Sequence, residues 1–266
     1  MLYIKKNAPS LATQAKLSQT KRDSHWNTVP ENDINARRVI FDNMDKSPIQ
    51  QDLIPEQHHL CGYCMRPIEV TFEGIRIDHF IPLSEDKEKT LDYNNYLGVC
   101  YGGSQRELQT NPQGYQSRKI KRILCCDAQK KDQRLLAINP WNEAIMDHIA
   151  YYTNGYIYFK GRGDYSETFC NNAQNDIDNI LQLNGIFKKD KDNIEWISDT
   201  TTKIVEGRRN AFTAANKILA DLQPLTSHKI DREIQSLLDA PKRQPFVGVI
   251  VYKLKQVRDR LQNQGR

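Results

Sequence analysis

The chain has 266 residues, of which 38% are hydrophobic and 27% charged, and a chain of this size can bury a core in one or two domains. Its formal net charge is only +5, and no apolar run approaches the roughly 20 residues that a membrane-spanning helix needs. Residues 1–6 turn polar at once and do not resemble a signal peptide. These features argue against an integral membrane protein, and we expect a cytoplasmic protein that makes no membrane contact.

The first segment, residues 1–59, is polar, weakly periodic and interrupted by four prolines. Within it, the apolar positions of residues 34–44 predict one short helix. We expect this segment to be an N-terminal arm that wraps the later parts of the chain and does not fold alone.

A Cys-x-x-Cys pair, Cys61 and Cys64, follows the arm, and four more cysteines lie downstream. Because thiols stay reduced in the cytoplasm, this pattern is more typical of a zinc site than of disulfides. The two-residue spacer lets both sulfur atoms turn back onto one ion, and four thiolates close a tetrahedral structural site. We expect Cys100 to supply the third thiolate and Cys126 the fourth.

Other residues near the predicted zinc site are alternative ligands. Cys125 directly precedes Cys126, but adjacent cysteines rarely both reach one ion. His58 and His59 stand just before the first cysteine and are alternatives to a thiolate, although two solvent-facing loop histidines are the simpler interpretation. Cys170 is expected to be a buried, small apolar residue.

An Asp-His pair follows the first two cysteines. Residues 68–71 and 75–80 alternate between apolar and polar, which predicts a hairpin that turns at residues 73–74. This hairpin places Asp78 and His79 at the end of its second strand.

Two later features complete a set of chemically useful groups. Asn95 stands five residues before Cys100, and Asp127 and Lys130 belong to a Cys-Asp-x-x-Lys run. A metal-binding carboxylate, an imidazole base and an orienting amide in one small module are the groups that metal-assisted hydrolysis of a phosphodiester needs.

Positive charge is concentrated beside these groups. Residues 100–135 include eight Lys or Arg and three acidic residues, and such an excess suits a polyanion such as DNA or RNA. A solvated basic face is the alternative. The Gly-, Gln- and Asn-rich stretch between residues 100 and 126 predicts an irregular loop, which either faces the substrate or is solvated decoration.

The remaining residues change in composition after position 135. Asn154-Gly155 between the tyrosine-rich runs 149–153 and 156–160 predicts a β-hairpin, in which the tyrosines form cross-strand pairs or, alternatively, stack on bases. Amphipathic patterns predict four helices, at residues 173–185, 204–222, 230–238 and 246–261. We expect their apolar stripes to form a core, with a partner-docking surface as the alternative.

The order Cys-x-x-Cys, Asp-His, Asn and Cys-Asp-x-x-Lys-Lys resembles that of the HNH endonucleases, and more closely that of the PtuB-like proteins of Septu and retron-associated anti-phage systems. Weaker matches lie at residues 3–6, 138–140, 152–155 and 181–184, so that the resemblance covers most of residues 1–215. It implies an α+β fold in which a ββα-metal (HNH, treble-clef-like) zinc finger has an N-terminal arm and a mainly helical C-terminal half. The corresponding division is an arm at 1–59, a zinc-containing HNH nuclease core at 60–135 and a hairpin plus helical region at 136–266.

The resemblance also implies roles for individual residues. Asp78 and Asp127 would hold a catalytic Mg²⁺ or Mn²⁺, because hard cations prefer carboxylate oxygen; many HNH proteins carry His or Asn at the second position. His79 would be the general base. Asn95 would orient His79 through the loop, with Asn94 as the fallback if the register slips.

The implied function is that of a metal-dependent endonuclease, the toxic effector of an anti-phage complex. The sequence has no glycine-rich phosphate loop, and the resemblance implies an ABC-type ATPase companion subunit. A retron reverse transcriptase/msDNA complex is a further candidate partner. The alternative function is a non-catalytic zinc module that recruits nucleic acid or a partner.

Overall fold

The structure, a computed structural model, describes residues 1–69, 74–103, 124–190, 193–198 and 203–264. Over these residues the fold mixes α-helices with three two-stranded antiparallel sheets. The helices are Leu11–Asp23 (α1), Ile34–Asn43 (α2), Ser47–Glu56 (α3), Cys126–Lys130 (α4), Glu143–Met146 (α5), Glu167–Asn175 (α6), Ile204–Asp221 (α7), Ser227–Asp239 (α8) and Val247–Gln264 (α9). The strands are Arg76–His79 (β1), Tyr96–Val99 (β2), Ile149–Tyr151 (β3), Ile157–Phe159 (β4), Ile186–Asp190 (β5) and Asn193–Ser198 (β6). None of the described helices is long and apolar enough to cross a bilayer.

The first 59 residues are more helical than their pattern predicts. The predicted helix at 34–44 is confirmed as α2, which the Asp33 carboxylate caps by accepting from the backbone N–H of Ala36 at 2.9 Å. Helix α1 was not predicted because it buries only Thr13 and Leu17 and so has almost no apolar stripe. Helix α3 was missed because it contains two prolines, one in its first turn and Pro55 near its end.

Residues preceding α1 contact both the Cys-rich region and the C-terminal half. The backbone N–H of Ile4 donates to the carbonyl of Pro140 at 2.9 Å. The Lys6 ammonium contacts the Glu56 carboxylate at 2.9 Å and donates to the carbonyl of Tyr96 at 3.0 Å. The start of the chain therefore joins α3, β2 and the segment before α5, while the division into three domains stays a prediction.

Strand β1 pairs with β2, with Asp78 opposite Leu97. The predicted pairing of residues 68–71 with 75–80 is described only at its ends, where the backbone N–H of Glu69 donates to the carbonyl of Gly74 at 3.4 Å and that of Ile68 donates to the carbonyl of His59 at 2.9 Å. Residues 70–73, which include the predicted turn, lie outside the described residues. Alternation along a strand identifies its faces, but it does not identify the strand beside it.

Side chains satisfy the edge of β2 that faces away from β1. The buried Gln57 amide accepts from the N–H of Gly98 at 2.7 Å and donates to its carbonyl at 2.7 Å. The Lys6 ammonium donates to the carbonyl of Tyr96, which lies two residues before Gly98 on the same edge. This arrangement fixes β2 against α3 and the start of the chain.

The predicted hairpin after residue 148 is confirmed, since β3 pairs with β4 and places Ala150 opposite Tyr158. Gly155 in its turn has φ +88°, and a Cβ atom there would lie 2.5 Å from the carbonyl oxygen of Val205 on α7. Glycine is therefore required both by the turn and by the close approach of α7.

The C-terminal helices follow the predicted stripes closely. Helices α7, α8 and α9 confirm the last three predicted helices. The first of the four predicted helices begins earlier than predicted, at Glu167 as α6, and continues into a π-helical turn at Asp176–Ile180. The strand pair β5 and β6 was not predicted. The irregular loop predicted between residues 100 and 126, and most of the basic residues between 100 and 135, fall in residues 104–123, which lie outside the described ranges.

Asp176 joins the π-helical turn to the chain that follows α4. Its carboxylate is fully buried and accepts three backbone N–H groups, from Leu136 at 2.9 Å, Ala137 at 2.7 Å and Ile138 at 2.8 Å. Three charge-assisted hydrogen bonds to one buried carboxylate hold these two segments together.

We predict that Asp176→Asn lowers the free energy of unfolding by about 2–3 kcal/mol, because at least one of the three N–H groups would then face an amide donor. Urea unfolding followed by tryptophan fluorescence measures the loss. The control is Asp231→Asn, which removes a half-exposed carboxylate paired with Arg258 and should change stability by less than about 0.5 kcal/mol. Equal losses in the two variants would contradict the role given to Asp176.

Candidate functional site

Four cysteine thiols meet in the interior. The sulfur atoms of Cys61, Cys64, Cys100 and Cys126 all lie within 4.8 Å of one another, and all four residues are buried. Individual separations are 3.6 Å for Cys64–Cys100, 3.8 Å for Cys100–Cys126 and 3.9 Å for Cys61–Cys126. A tetrahedron with Zn–S bonds of about 2.3 Å has edges of roughly 3.8 Å, so the cluster fits a structural zinc ion.

The local backbone explains how the first two thiols turn together. The N–H of Met65 donates to the carbonyl of Cys61 at 3.0 Å and closes a tight turn, in which Met65 has φ +64°. Inside that turn, a Cβ atom at Gly62 would lie 2.6 Å from Cγ of Leu97 on β2. Glycine at this position lets the turn pack directly on the strand that leads to Cys100.

The alternative zinc ligands are placed differently from the four clustered thiols. Cys125 is buried beside the cluster, and hydrogen bonds from the thiols of Cys125 and then Cys126 lower the pKa of the Cys100 thiol. The ring Nδ1 of His58 lies 2.9 Å from the carbonyl of Ala240 and is engaged there. The identity of the zinc ligands stays a prediction, and the geometry favours the set that contains Cys126.

Asp78 lies in a polar pocket between β1 and α4. The hydroxyl of Tyr63 donates to one of its carboxylate oxygens at 2.6 Å, and the Lys130 ammonium contacts the other at 3.1 Å. Lys130 also donates to the carbonyl of His79 at 2.8 Å and is completely buried. Asp78 itself is only 3% exposed. Tyr63 and Lys130, which come from different parts of the chain, fix its position.

His79 is held as a neutral imidazole. Its Nε2 lies 3.0 Å from the carbonyl oxygen of Thr90, and because a carbonyl only accepts, Nε2 carries the proton and Nδ1 keeps a lone pair. Burial lowers the pKa of His79 to about 4, against the hydrogen bond to Thr90. Its ring packs edge-on against Phe41 of α2 at 4.4 Å and Tyr96 at 5.2 Å between centroids.

Asn95 braces the loop that supports His79. The buried amide accepts from the N–H of Ile81 at 2.8 Å and donates to the carbonyls of Ile81 and Lys89, both at 2.9 Å. Asn94 is exposed and makes no comparable contact. The amide therefore links the chain directly after His79 to the chain near Thr90.

Asp127 lies beside Asp78. Burial, and then the negative charge of Asp78, raise the pKa of Asp127 to about 7, although the Arg76 guanidinium contacts its carboxylate at 3.0 Å. The carboxyl group of Asp78 is therefore close to that of Asp127. Two carboxylates brought this close provide the hard oxygen donors that a divalent cation prefers, so these residues fit a Mg²⁺ or Mn²⁺ ion.

Four residues of the site were given no role from the sequence: Phe41, Tyr63, Arg76 and Lys130. Two of them had a local signal. Arg76 stands two residues before Asp78 and so shares its face of the strand, and Lys130 stands three residues after Asp127 on one face of a helix. The remaining two, Phe41 and Tyr63, reach the site through tertiary contacts that no spacing indicates.

Comparison with known proteins agrees with this geometry over one part of the chain. Residues 61–101 match the family model described as HNH endonuclease. The matched segment contains the Cys-x-x-Cys turn, β1 with Asp78 and His79, Asn95 and Cys100. No curated protein matches the chain.

We predict that Cys126→Ser abolishes stoichiometric zinc binding, because it removes one corner of the thiolate tetrahedron, while Cys125→Ser retains it. Zinc released from purified protein, measured with a chromogenic chelator, distinguishes the two. Cys170→Ser is the control for loss of a buried thiol outside the cluster. Zinc loss in Cys125→Ser and retention in Cys126→Ser would assign the fourth ligand to Cys125 instead.

We predict that Lys130→Met destabilises the protein by about 3–5 kcal/mol, because it leaves the buried Asp78 carboxylate without its cation. The double variant Lys130→Met/Asp78→Asn should recover most of that loss, because both side chains of the former ion pair are then neutral. Urea unfolding of zinc-loaded protein measures both, with Lys255→Met, from an exposed ion pair, as the control. Additive losses in the double variant would show that the ion pair is not the cause.

Proposed function

We propose that this protein is a metal-dependent HNH endonuclease that hydrolyses phosphodiester bonds of nucleic acid. The observation that carries the proposal is a neutral His79 next to two carboxylates, Asp78 and Asp127, inside a region that matches the HNH endonuclease model. The order β1, β2, α4 around the four thiols supports assigning this part to the ββα-metal class. A purely structural zinc module has no use for this Asp-His-Asn-Asp set.

His79 acts as the general base in this proposal. Since Nε2 is committed to the carbonyl of Thr90, Nδ1 is the nitrogen that takes a proton from the attacking water. The low pKa of the ring keeps it unprotonated at neutral pH, so Nδ1 has a free lone pair. Asn95 keeps the loop carrying Thr90 in place, and so acts on His79 as a positioning residue.

Asp78 and Asp127 hold the divalent cation. Tyr63 and Lys130 fix Asp78, so one of the two carboxylates is preorganised before the ion arrives. When bound, Mg²⁺ or Mn²⁺ would neutralise charge on the scissile phosphate and stabilise the leaving 3′ oxygen. The Cys61, Cys64, Cys100 and Cys126 cluster would hold zinc in a purely structural role.

We further propose that the nuclease is the toxic effector of an anti-phage complex of the Septu or retron-associated type. This part is supported by the resemblance of motifs along residues 1–215. An ABC-type ATPase is the proposed companion subunit, and a retron reverse transcriptase/msDNA complex is a second candidate. The apolar stripes of the C-terminal helices are largely buried within the protein, so any partner would bind a different face.

The test is cleavage of supercoiled plasmid and of total RNA, with Mg²⁺ or EDTA, alone and with the companion ATPase. We predict that His79→Ala lowers the cleavage rate about 100-fold or more, the usual contribution of a general base. His148→Ala is the control, because His148 lies on a different part of the fold and pairs with Asp164.

Metal-dependent cutting that is lost in His79→Ala and kept in His148→Ala supports the nuclease and identifies its substrate. Equal cutting by both variants would show that His79 is not the base. Nucleic-acid binding without cutting, with any partner, would favour a non-catalytic zinc module.

A further inference from the structure

Four charged side chains connect β1 to α4 as two ion pairs. On the strand, Arg76 and Asp78 are two residues apart and share one face; on the helix, Asp127 and Lys130 are three apart and share another. Arg76 contacts Asp127 at 3.0 Å and Lys130 contacts Asp78 at 3.1 Å. In one pair the strand supplies the cation and the helix the anion, and in the other pair the reverse holds. The four formal charges therefore cancel.

The two ion pairs differ sharply in exposure. Lys130 and Asp78 are 0% and 3% exposed, whereas the side chains of Arg76 and Asp127 are 40% and 13% exposed. A buried pair cannot exchange partners without a large desolvation cost. A partly exposed pair is weak, and its long arginine side chain can leave at little cost.

The position of Arg76 gives it a second possible partner. The guanidinium is partly exposed beside Asp127 and lies 5.9 Å from the ring centre of Tyr101. Guanidinium groups bind phosphate oxygens with two parallel hydrogen bonds, a geometry they share with carboxylates. A phosphate that approaches the Asp127 carboxylate therefore comes within reach of this partly exposed group.

We propose that Arg76 exchanges partners during substrate binding. In the free protein it pairs with Asp127, and when nucleic acid binds it moves to a backbone phosphate and leaves Asp127 available to the divalent cation. This inference rests on the proposed function. It makes Arg76 a gate that couples metal binding to substrate binding, while Lys130 is a fixed internal cation that never leaves Asp78.

The exchange has a thermodynamic consequence that a static ion pair lacks. Because Arg76 and the divalent ion compete for Asp127, removing Arg76 strengthens metal binding. Removing the same group weakens nucleic-acid binding, because a phosphate contact is lost. By linkage, nucleic acid and metal help each other to bind in the wild type, and that mutual help depends on Arg76.

The experiment uses zinc-loaded full-length protein carrying His79→Ala, so that nothing is cut. The probes are Mn²⁺, followed by electron paramagnetic resonance, and fluorescein-labelled single-stranded and duplex oligonucleotides, followed by anisotropy with and without Mn²⁺. The variants are Arg76→Met, Arg76→Lys and the control Arg258→Met. Arg258 lies on α9 and pairs with Asp231 of α8 at 3.0 Å and with Asp259 at 2.8 Å.

In Arg76→Met, we expect Mn²⁺ to bind about fivefold more tightly, the size of a partly exposed ion pair. The oligonucleotide should bind about tenfold more weakly without metal, and the slope of log K against log salt should fall by about one. Arg76→Lys, which keeps the charge, should retain the weaker Mn²⁺ binding. The improvement in Mn²⁺ affinity that the oligonucleotide causes should largely disappear in Arg76→Met and persist in Arg258→Met.

If the oligonucleotide still improves Mn²⁺ affinity in Arg76→Met, the exchange is overturned, because simple attraction between Mn²⁺ and phosphate survives removal of Arg76. Unchanged oligonucleotide affinity would also overturn it and leave Arg76 as a structural ion pair. Either result, alongside Mn²⁺-dependent cutting by protein with His79 intact, defeats this inference alone. Absence of both Mn²⁺ binding and cutting defeats the proposed function as well.

Discussion

The meeting of four thiols is the constraint on which the rest of this region depends. Cys61 and Cys64 come from one turn, Cys100 from the end of β2 and Cys126 from the start of α4. Their convergence brings α4 alongside β1, and only that approach places Asp127 and Lys130 against Asp78. A zinc ion held by these thiols would couple metal binding to the folding of this region.

Environment divides the ionisable groups of the site into distinct roles. Burial keeps His79 neutral, while the proximity of Asp78 and burial together make Asp127 hard to ionise without a nearby cation. The buried Lys130 ammonium contacts Asp78 at 3.1 Å, so this buried carboxylate has a cation beside it. The chemistry therefore follows from position: the same residue types on an open surface would titrate near their ordinary values.

Sequence spacing predicted the parts of the site that lie close together along the chain. The Cys-x-x-Cys turn and the Asp-His pair at a strand end have short-range signatures, and the hairpin around Gly155 follows from its turn residues. The pairing of β1 with β2 was not predicted, because strand pairing is decided by tertiary packing. Phe41 and Tyr63 reach the site through tertiary contacts, and no local pattern encodes the docking of α2 and α4 on this region.

The outer edge of β2 is occupied by the side chains of Gln57 and Lys6. An uncovered strand edge is a template for pairing with another chain, and a two-stranded sheet has two such edges. Gln57 copies the hydrogen-bonding pattern of a neighbouring strand without extending the sheet, and it therefore removes the attachment point at Gly98. A Gln57→Leu variant would leave the N–H of Gly98 without this partner, so one side-chain amide closes the outer edge of the strand that leads to Cys100.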